Sequence, residues 1–338
     1  MSAARMEERS SVSARILIRP PAEGTVRRLQ GSWSVVPTKK KNWTCLPGSS
    51  GAHAGRTTSP SPSPVRGDIM KIALVGFGDV GQAFATELLK WNHVSVAAFD
   101  TQFLGKGGWL WDHACAMGVQ AVDCPSLGAC HADVVISAVT ADECEEAAMA
   151  AADCISPGQY YFDLNSSSPK TKQRAASHIE CAGGLYVEGA IMAPVAERGL
   201  HVPILSGGAH AMVLATRLNP LGMSITPFSA DLGRVSAAAL CRNLLVEGLE
   251  ALLDDCLAIA RHAGVEKAVY QSLAGDFPSV DWAGLVQVMC RDSTEHQPAS
   301  TAEMLEAADM MDEFGYDGRL ERALAFHRRC GMAGKVAQ

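Results

Sequence analysis

Gly76, Gly78 and Gly81 stand in the run GFGDVG, directly behind the apolar stretch Ile72, Ala73, Leu74 and Val75. Between a strand and a helix, such a turn presents free backbone N–H groups and the positive end of the helix dipole, so the chemistry on offer is anion binding. Gly76 permits a tight turn, Gly78 lets phosphates approach the backbone, and Gly81 lets the following helix pack closely on the strand. Phe77, Asp79 and Val80 complete the turn. Asp100 closes a second apolar segment, Val94 to Phe99, nineteen residues beyond Gly81, near the roughly twenty typical of an acid that holds an adenosine ribose. A carboxylate there accepts from the ribose hydroxyls and repels a 2′-phosphate, and Thr101, Gln102 and Phe103 bring no arginine behind it. The expected ligand is NAD, with NADP as the alternative; a strand-end turn acid is the structural alternative for Asp100.

A second polar cluster, Asn165, Ser166, Ser167 and Ser168, follows the apolar segment Tyr160 to Phe162. Short amide and hydroxyl groups just past a strand fall at the carboxyl edge of a parallel sheet, where ligands bind. Ser168 before Pro169 also has the form of a helix N-cap followed by proline at the first helical position. Other titratable candidates are Glu188, Lys170, Lys172, His201 and His296. The 11 cysteines show neither a CxxC pair nor paired His/Cys spacing, so they read as reduced thiols and no metal site is expected.

The elements that must position these groups alternate. Apolar strands are expected at Ile72 to Val75, Val94 to Phe99, Val119 to Val122, Val134 to Val139, Tyr160 to Phe162, Leu185 to Val187 and Val202 to Leu205, with helical stretches between them. This is the pattern of an α/β protein with a Rossmann-type, doubly wound parallel sheet. After Leu232 the signal turns entirely helical. Ser236 to Ala263 runs without proline, and Val265 to Leu273, Trp282 to Met289, Thr301 to Phe314 and Leu320 to Arg329 follow. Residues 70–232 therefore form the nucleotide-binding domain and 233–338 an all-helical C-terminal domain. The long helix carries Ala237, Ala238, Leu240, Leu244, Leu245, Leu249 and Leu252, apolar on more than one face, which points to a homodimer through the helical domain.

Residues 1–69 are rich in Ser, Pro, Arg and Gly, without sustained periodicity, and read as a disordered leader. They carry 11 Lys and Arg against 4 Asp and Glu, leaving 18 against 32 for the rest. The acidic body gives no electrostatic footprint for nucleic acid, and no apolar run reaches the ~20 residues that span a bilayer. A soluble cytoplasmic protein is expected; the Arg- and Ser-rich leader leaves a transit peptide as the alternative, against which Glu7 and Glu8 weigh. Trp33, Trp43 and Cys45 within it carry no identifiable chemistry.

From Met70 onward the chain resembles the NAD(P)-dependent 3-hydroxyacid dehydrogenases related to 6-phosphogluconate and 3-hydroxyisobutyrate dehydrogenase. The resemblance rests on GFGDVG, on ADVVISAVTADE, on YFDLNSSSPKTKQ and on LGRVSAAALCRN. It implies that Val139 and Thr140 pass the nicotinamide half of the cofactor and that Asn165, Ser166 and Ser167 contact a small-molecule substrate. It also implies a lysine near the start of the long helix, paired with an asparagine one turn later. Here the lysine position is Ala239, whereas Asn243 matches the asparagine. Glu247 lies on the same face at four-residue spacing and is the nearest ionisable group, either a proton relay or a charge at a domain seam. EGAIMAPV replaces the family's Asp-Ala-Pro-Val-Ser-Gly-Gly loop, with Met192 at the serine position and Ala193 and Pro194 at the glycines. The family's paired arginines correspond to Ala299 and Ser300. The expected function is oxidoreduction at the CH–OH group of a small hydroxy acid or related substrate. Imine reduction and a catalytically silent nucleotide-binding role are the alternatives.

Overall fold

The computed structural model describes residues 69–103, 108–124, 129–289 and 297–326 of the 338. The expected leader up to residue 68 and His296 lie outside the described residues, as do the side chains of Ala299 and Ser300.

Eight strands form one sheet: β1 (Met70–Val75), β2 (Val94–Phe99), β3 (Gln120–Val122), β4 (Val134–Ser137), β5 (Tyr160–Asp163), β6 (Leu185–Ile191), β7 (Pro203–Gly207) and β8 (Ser224–Ser229). Their order is β3-β2-β1-β4-β5-β6-β7-β8. The chain winds outward from β1 to β3, then returns to the other side of β1 and winds outward again. That reversal leaves a crevice at the carboxyl ends of β1 and β4, where doubly wound sheets take their ligands. Strands β1 and β4 are buried on both faces, which their unbroken apolar runs require. Helices Asp79–Leu88, Trp109–Ala116 and Ala211–Leu218 help to cover one face; Cys144–Ala152 and Pro169–Cys181 cover the other.

Two features depart from the expected all-parallel sheet of seven strands. β7 runs antiparallel to β6, because the eleven residues between them form only one helical turn and a 3-10 turn, short of the crossover of a dozen or more that a parallel return needs. An eighth strand, SITPFS, pairs parallel with β7 at the sheet edge. Its Pro227 and exposed Phe228 obscure the strand pattern, and an edge strand is where proline is tolerated.

From Arg234 on, the described residues form helices joined by short turns. The helix Arg234–His262 has 29 residues, about 44 Å at 1.5 Å per residue. Glu188 of β6 holds its start: Oε2 accepts from Gly233 N at 2.8 Å and Oε1 from Ser236 N at 2.7 Å. A buried carboxylate at a helix N-terminus satisfies orphan donors and faces the positive dipole end. Helices Glu266–Asp276, Trp282–Met289 and Gln297–Glu313 follow, then a helical segment at 319–326. Gln297–Glu313 packs on the long helix and on the turn Ala141–Glu143, laying the helical region across the carboxyl edge of the sheet.

Candidate active site

The glycine turn has the three environments its spacing implies. Gly76 sits at φ +96°, and a Cβ there would lie 2.2 Å from the Ala138 carbonyl oxygen, so glycine is required. A Cβ on Gly81 would lie 2.4 Å from the Gly76 carbonyl oxygen, which is the close helix-to-strand approach. Gly78 is exposed and has no atom within 4 Å of its would-be Cβ. That open face, at the start of helix Asp79–Leu88, is a cradle that a side chain would fill. Phe77 is buried and its ring lies 5.8 Å from Phe103, so its side chain serves the core. Its N–H donates to Asp100 Oδ2 at 2.8 Å. Asp100 Oδ1 accepts from Gln102 N at 2.9 Å. The carboxylate is thereby fixed beside the turn, with lone pairs left over for further donors. Asp79 is exposed and Val80 half-buried at the first helical turn.

Across the crevice, Val139 is half-buried and Thr140 exposed just past β4. Asn165 holds this loop from beneath: Oδ1 accepts from Val139 N at 2.7 Å and Nδ2 donates to Ser137 Oγ at 3.0 Å. Ser167 Oγ donates to the Ala141 carbonyl at 2.8 Å. Asn165 and Ser167 are buried and tie the loop after β5 to the loop after β4. Ser168 Oγ accepts from Thr171 N at 3.3 Å and caps helix Pro169–Cys181. Ser166 alone among these four is half-buried.

Ser166 meets a residue that the sequence did not single out as a site group. Glu303, on helix Gln297–Glu313, hydrogen-bonds Ser166, Asn243 and Glu247; Asn243 Nδ2 donates to Glu303 Oε2 at 2.9 Å. Burial pushes the Glu303 carboxyl above its ordinary value, with these three hydrogen bonds pulling the other way. One turn further along the same helix, Glu306 Oε2 accepts from Ser168 N at 2.6 Å and Thr171 Oγ1 at 3.3 Å. Only the glutamate spacing of three, which puts both on one helix face, marks them in sequence. Asn243 Oδ1 accepts from Arg242 at 3.1 Å. One turn before Asn243, Ala239 is buried against Ala190 and Val235, with Met192 and Leu205 packed on them. The position that the resemblance gives to a lysine is therefore part of an apolar wall, and Met192 belongs to the same wall.

Below this edge lies a closed polar cluster. Asp163 Oδ1 accepts from Lys172 Nζ at 2.6 Å and from Asn165 N at 3.0 Å; Oδ2 accepts from Tyr186 Oη at 2.7 Å and Cys144 Sγ at 3.2 Å. Burial pushes the Cys144 thiol up to about 12, helped by the Asp163 charge. Lys172 is thus structural, as is Glu188 at the helix start, and His201 lies in a 3-10 turn between β6 and β7.

The family described as the NAD binding domain of 6-phosphogluconate dehydrogenase matches residues 71–211. A conserved hypothetical protein from Sinorhizobium meliloti 1021 is 34% identical, with a TM-score of 0.64 over 78% of this chain and 88% of that one. Residues 71–211 belong to the family of the 6-phosphogluconate dehydrogenase NAD-binding domain. A conserved protein of unknown function, described as structurally similar to 3-hydroxyacid dehydrogenases, is 28% identical with a TM-score of 0.59, covering 77% of this chain and 98% of that one. Mycobacterium tuberculosis 3-hydroxyisobutyrate dehydrogenase shares the fold at 18% identity, with a TM-score of 0.63 over 78% and 94% of the two chains. No curated protein matches the sequence. In this family setting, the glycine turn of residues 76–81 belongs to an NAD(P)-binding domain.

Proposed function

We propose that the protein is an NAD(P)-dependent oxidoreductase acting on the CH–OH group of a small hydroxy acid or related molecule. The observation that carries this reading is the open cradle at Gly78, with Asp100 fixed beside it, together with the polar group formed by Ser166, Asn243 and Glu303 past the carboxyl end of β5. Gly76, Gly78, Gly81 and the helix start at Asp79 would hold the pyrophosphate, Asp100 the adenosine ribose, and the Val139–Thr140 loop the nicotinamide half. A bound nicotinamide nucleotide supplies a hydride acceptor or donor. The chain's own groups position the substrate, and a carboxyl at hydrogen-bond reach handles its proton. Asp100 favours NAD, since a 2′-phosphate beside that carboxylate is repelled.

Imine reduction is the second reading, favoured by Ala239 at the lysine position and by the Glu303 carboxyl beside Asn243. The test is direct. NADH and NADPH are titrated by fluorescence and thermal shift, then turnover is measured on 3-hydroxyisobutyrate, L-serine and 1-pyrroline. Binding with turnover of a hydroxy acid supports the main reading and turnover of the imine alone supports the second. Binding without turnover points to a silent nucleotide-binding protein, and binding of neither nucleotide overturns all three.

The protein acts as a homodimer on this reading. Leu245, Leu252 and Ile259, seven residues apart on the long helix, are each about 70% exposed, an apolar stripe that a second copy would cover. Free cysteines on several elements suit a reducing, cytoplasmic setting.

A further inference from the structure

We infer that Glu303 is the proton-exchanging group of the active site, holding one proton in common with Glu247 in the region that the family resemblance assigns to a lysine. The inference rests on the oxidoreductase reading above and names the acid and base which that reading leaves open.

Glu303 occupies the junction of three elements. It reaches the loop after β5 through Ser166, the long helix through Asn243 and Glu247, and it comes from helix Gln297–Glu313, which also packs on the turn Ala141–Glu143 beside the nicotinamide loop. Asn243 lies one helical turn beyond Ala239 on the same side of the long helix, so Glu303 meets that helix one turn from the position matched to the lysine. Glu303 is half-buried, withdrawn from bulk water yet open to a ligand. Glu247 acts on the Glu303 carboxyl in favour of its charged form, as a neighbouring carboxyl does when the pair holds one proton between them. Arg242 of the long helix also acts on Glu303 and favours its charged form, while Glu306 stands one turn along the same helix as Glu303. Glu306 is occupied by Ser168 and Thr171, and Arg242 by Asn243. Asn243 and Ser166 fix the Glu303 carboxyl in place.

The proton balance is simple. As a substrate carbon bearing a hydroxyl becomes a carbonyl, its C–H bond gives a hydride to the oxidised nicotinamide and its O–H bond gives a proton to the Glu303 carboxylate. The reduction returns the proton from Glu303 to the carbonyl oxygen. For an imine, the same carboxyl protonates nitrogen.

Glu303→Gln keeps the shape and removes the proton exchange. The expected result is unchanged NADH or NADPH affinity with kcat/KM on the accepted substrate down by roughly 10²–10⁴-fold, partly restored in Glu303→Asp. In Glu247→Ala, Glu303 loses a hydrogen bond that favours its charged form, so the acid limb of the pH–rate profile moves to higher pH. A readout without cofactor accompanies these. A raised carboxyl binds its proton more tightly in the folded state, so wild-type stability falls as pH rises from the ordinary glutamate range through the raised folded value. Glu303→Gln should flatten that slope in thermal melts. Turnover in the wild type with Glu303→Gln within threefold of it, or an unaltered stability slope, overturns the inference. Nucleotide binding with no turnover in the wild type overturns the oxidoreductase reading and the inference with it.

Discussion

Lys172 Nζ lies 2.6 Å from Asp163 Oδ1 with neither side chain exposed, so an ion pair is sealed under the floor of the proposed site. It is a support and not a reactive group. Asp163 also takes Tyr186, Cys144 and the Asn165 N–H, and Asn165 in turn holds the Val139 loop. Lys172→Met leaves a buried carboxylate without its counter-charge, which costs about 3–5 kcal/mol and lowers Tm by on the order of 10 °C. Burial works against the charged lysine, but Asp163 overcomes it and holds the Lys172 pKa above its ordinary value. The stabilisation is therefore complete below the ordinary lysine range and lost as pH rises through the folded value. Thermal melts of wild type and Lys172→Met should converge at strongly alkaline pH. A constant difference across the range would contradict the assignment.

Gly76 and Gly78 separate fold from binding. Gly76→Ala puts a Cβ against the Ala138 carbonyl at φ +96°, so it should cost at least roughly 1–3 kcal/mol from the backbone conformation alone. Gly78 has extended backbone (φ −73°, ψ −158°) and open space, so Gly78→Val should shift Tm without nucleotide by no more than about 2 °C. It should weaken NADH or NADPH binding by about tenfold or more, a change of ~1.4 kcal/mol. Calorimetric titration beside thermal melts resolves the two. Undiminished binding in Gly78→Val would remove the nucleotide from this turn.

These two glycines show what the sequence made legible. Turn, strand and helix follow each other within a dozen residues, so local spacing alone reports their geometry, and Ser168 before Pro169 was readable as a cap for the same reason. Glu303 was not readable in this way. It meets Asn243 across 60 residues of chain and Ser166 across more, and an exposed-looking glutamate in a helical run carries no local mark of such a contact. Glu188 was misleading for the opposite reason. It sits beside a loop that resembles a substrate wall, but its carboxylate is consumed by the start of the long helix. Strand β8 was hidden by Pro227, and the reversal of β7 by a connection whose shortness outweighs the parallel pattern before it.

Ala239 and Met192 belong to one apolar wall with Ala190, Val235 and Leu205, so restoring a lysine at position 239 alone should fail. The longer side chain overpacks the wall at about 1–3 kcal/mol. Replacing Met192 by serine, the residue at that position in the family loop, opens room for it. Ala239→Lys should therefore melt several degrees below wild type, and Ala239→Lys with Met192→Ser should recover part of the loss. A double-mutant cycle measures this, and an interaction energy of about 0.5 kcal/mol or more in the favourable direction is expected for residues in contact. Strict additivity would mean that the two departures from the family pattern arose in separate parts of the pocket.

The long helix supplies the last test. Leu245, Leu252 and Ile259 recur every seven residues and stand exposed, while Val235, Ala239 and Leu240 nearer its start are buried in the chain. One end of the helix therefore serves the sheet and the proposed site, and the other presents a stripe whose exposure to water is unfavourable by about 25 cal/mol per Å² of apolar surface. A second copy in register would bury it. Light scattering at micromolar concentration should return twice the mass of the chain, and Leu245→Glu with Leu252→Glu should return the single-chain mass. Because Glu247 lies two residues from Leu245, the disrupted form should also show a shifted pH–rate profile if the interface borders the site. A wild type that runs as a monomer would leave the stripe to some other use and confine the proposed proton exchange to one chain.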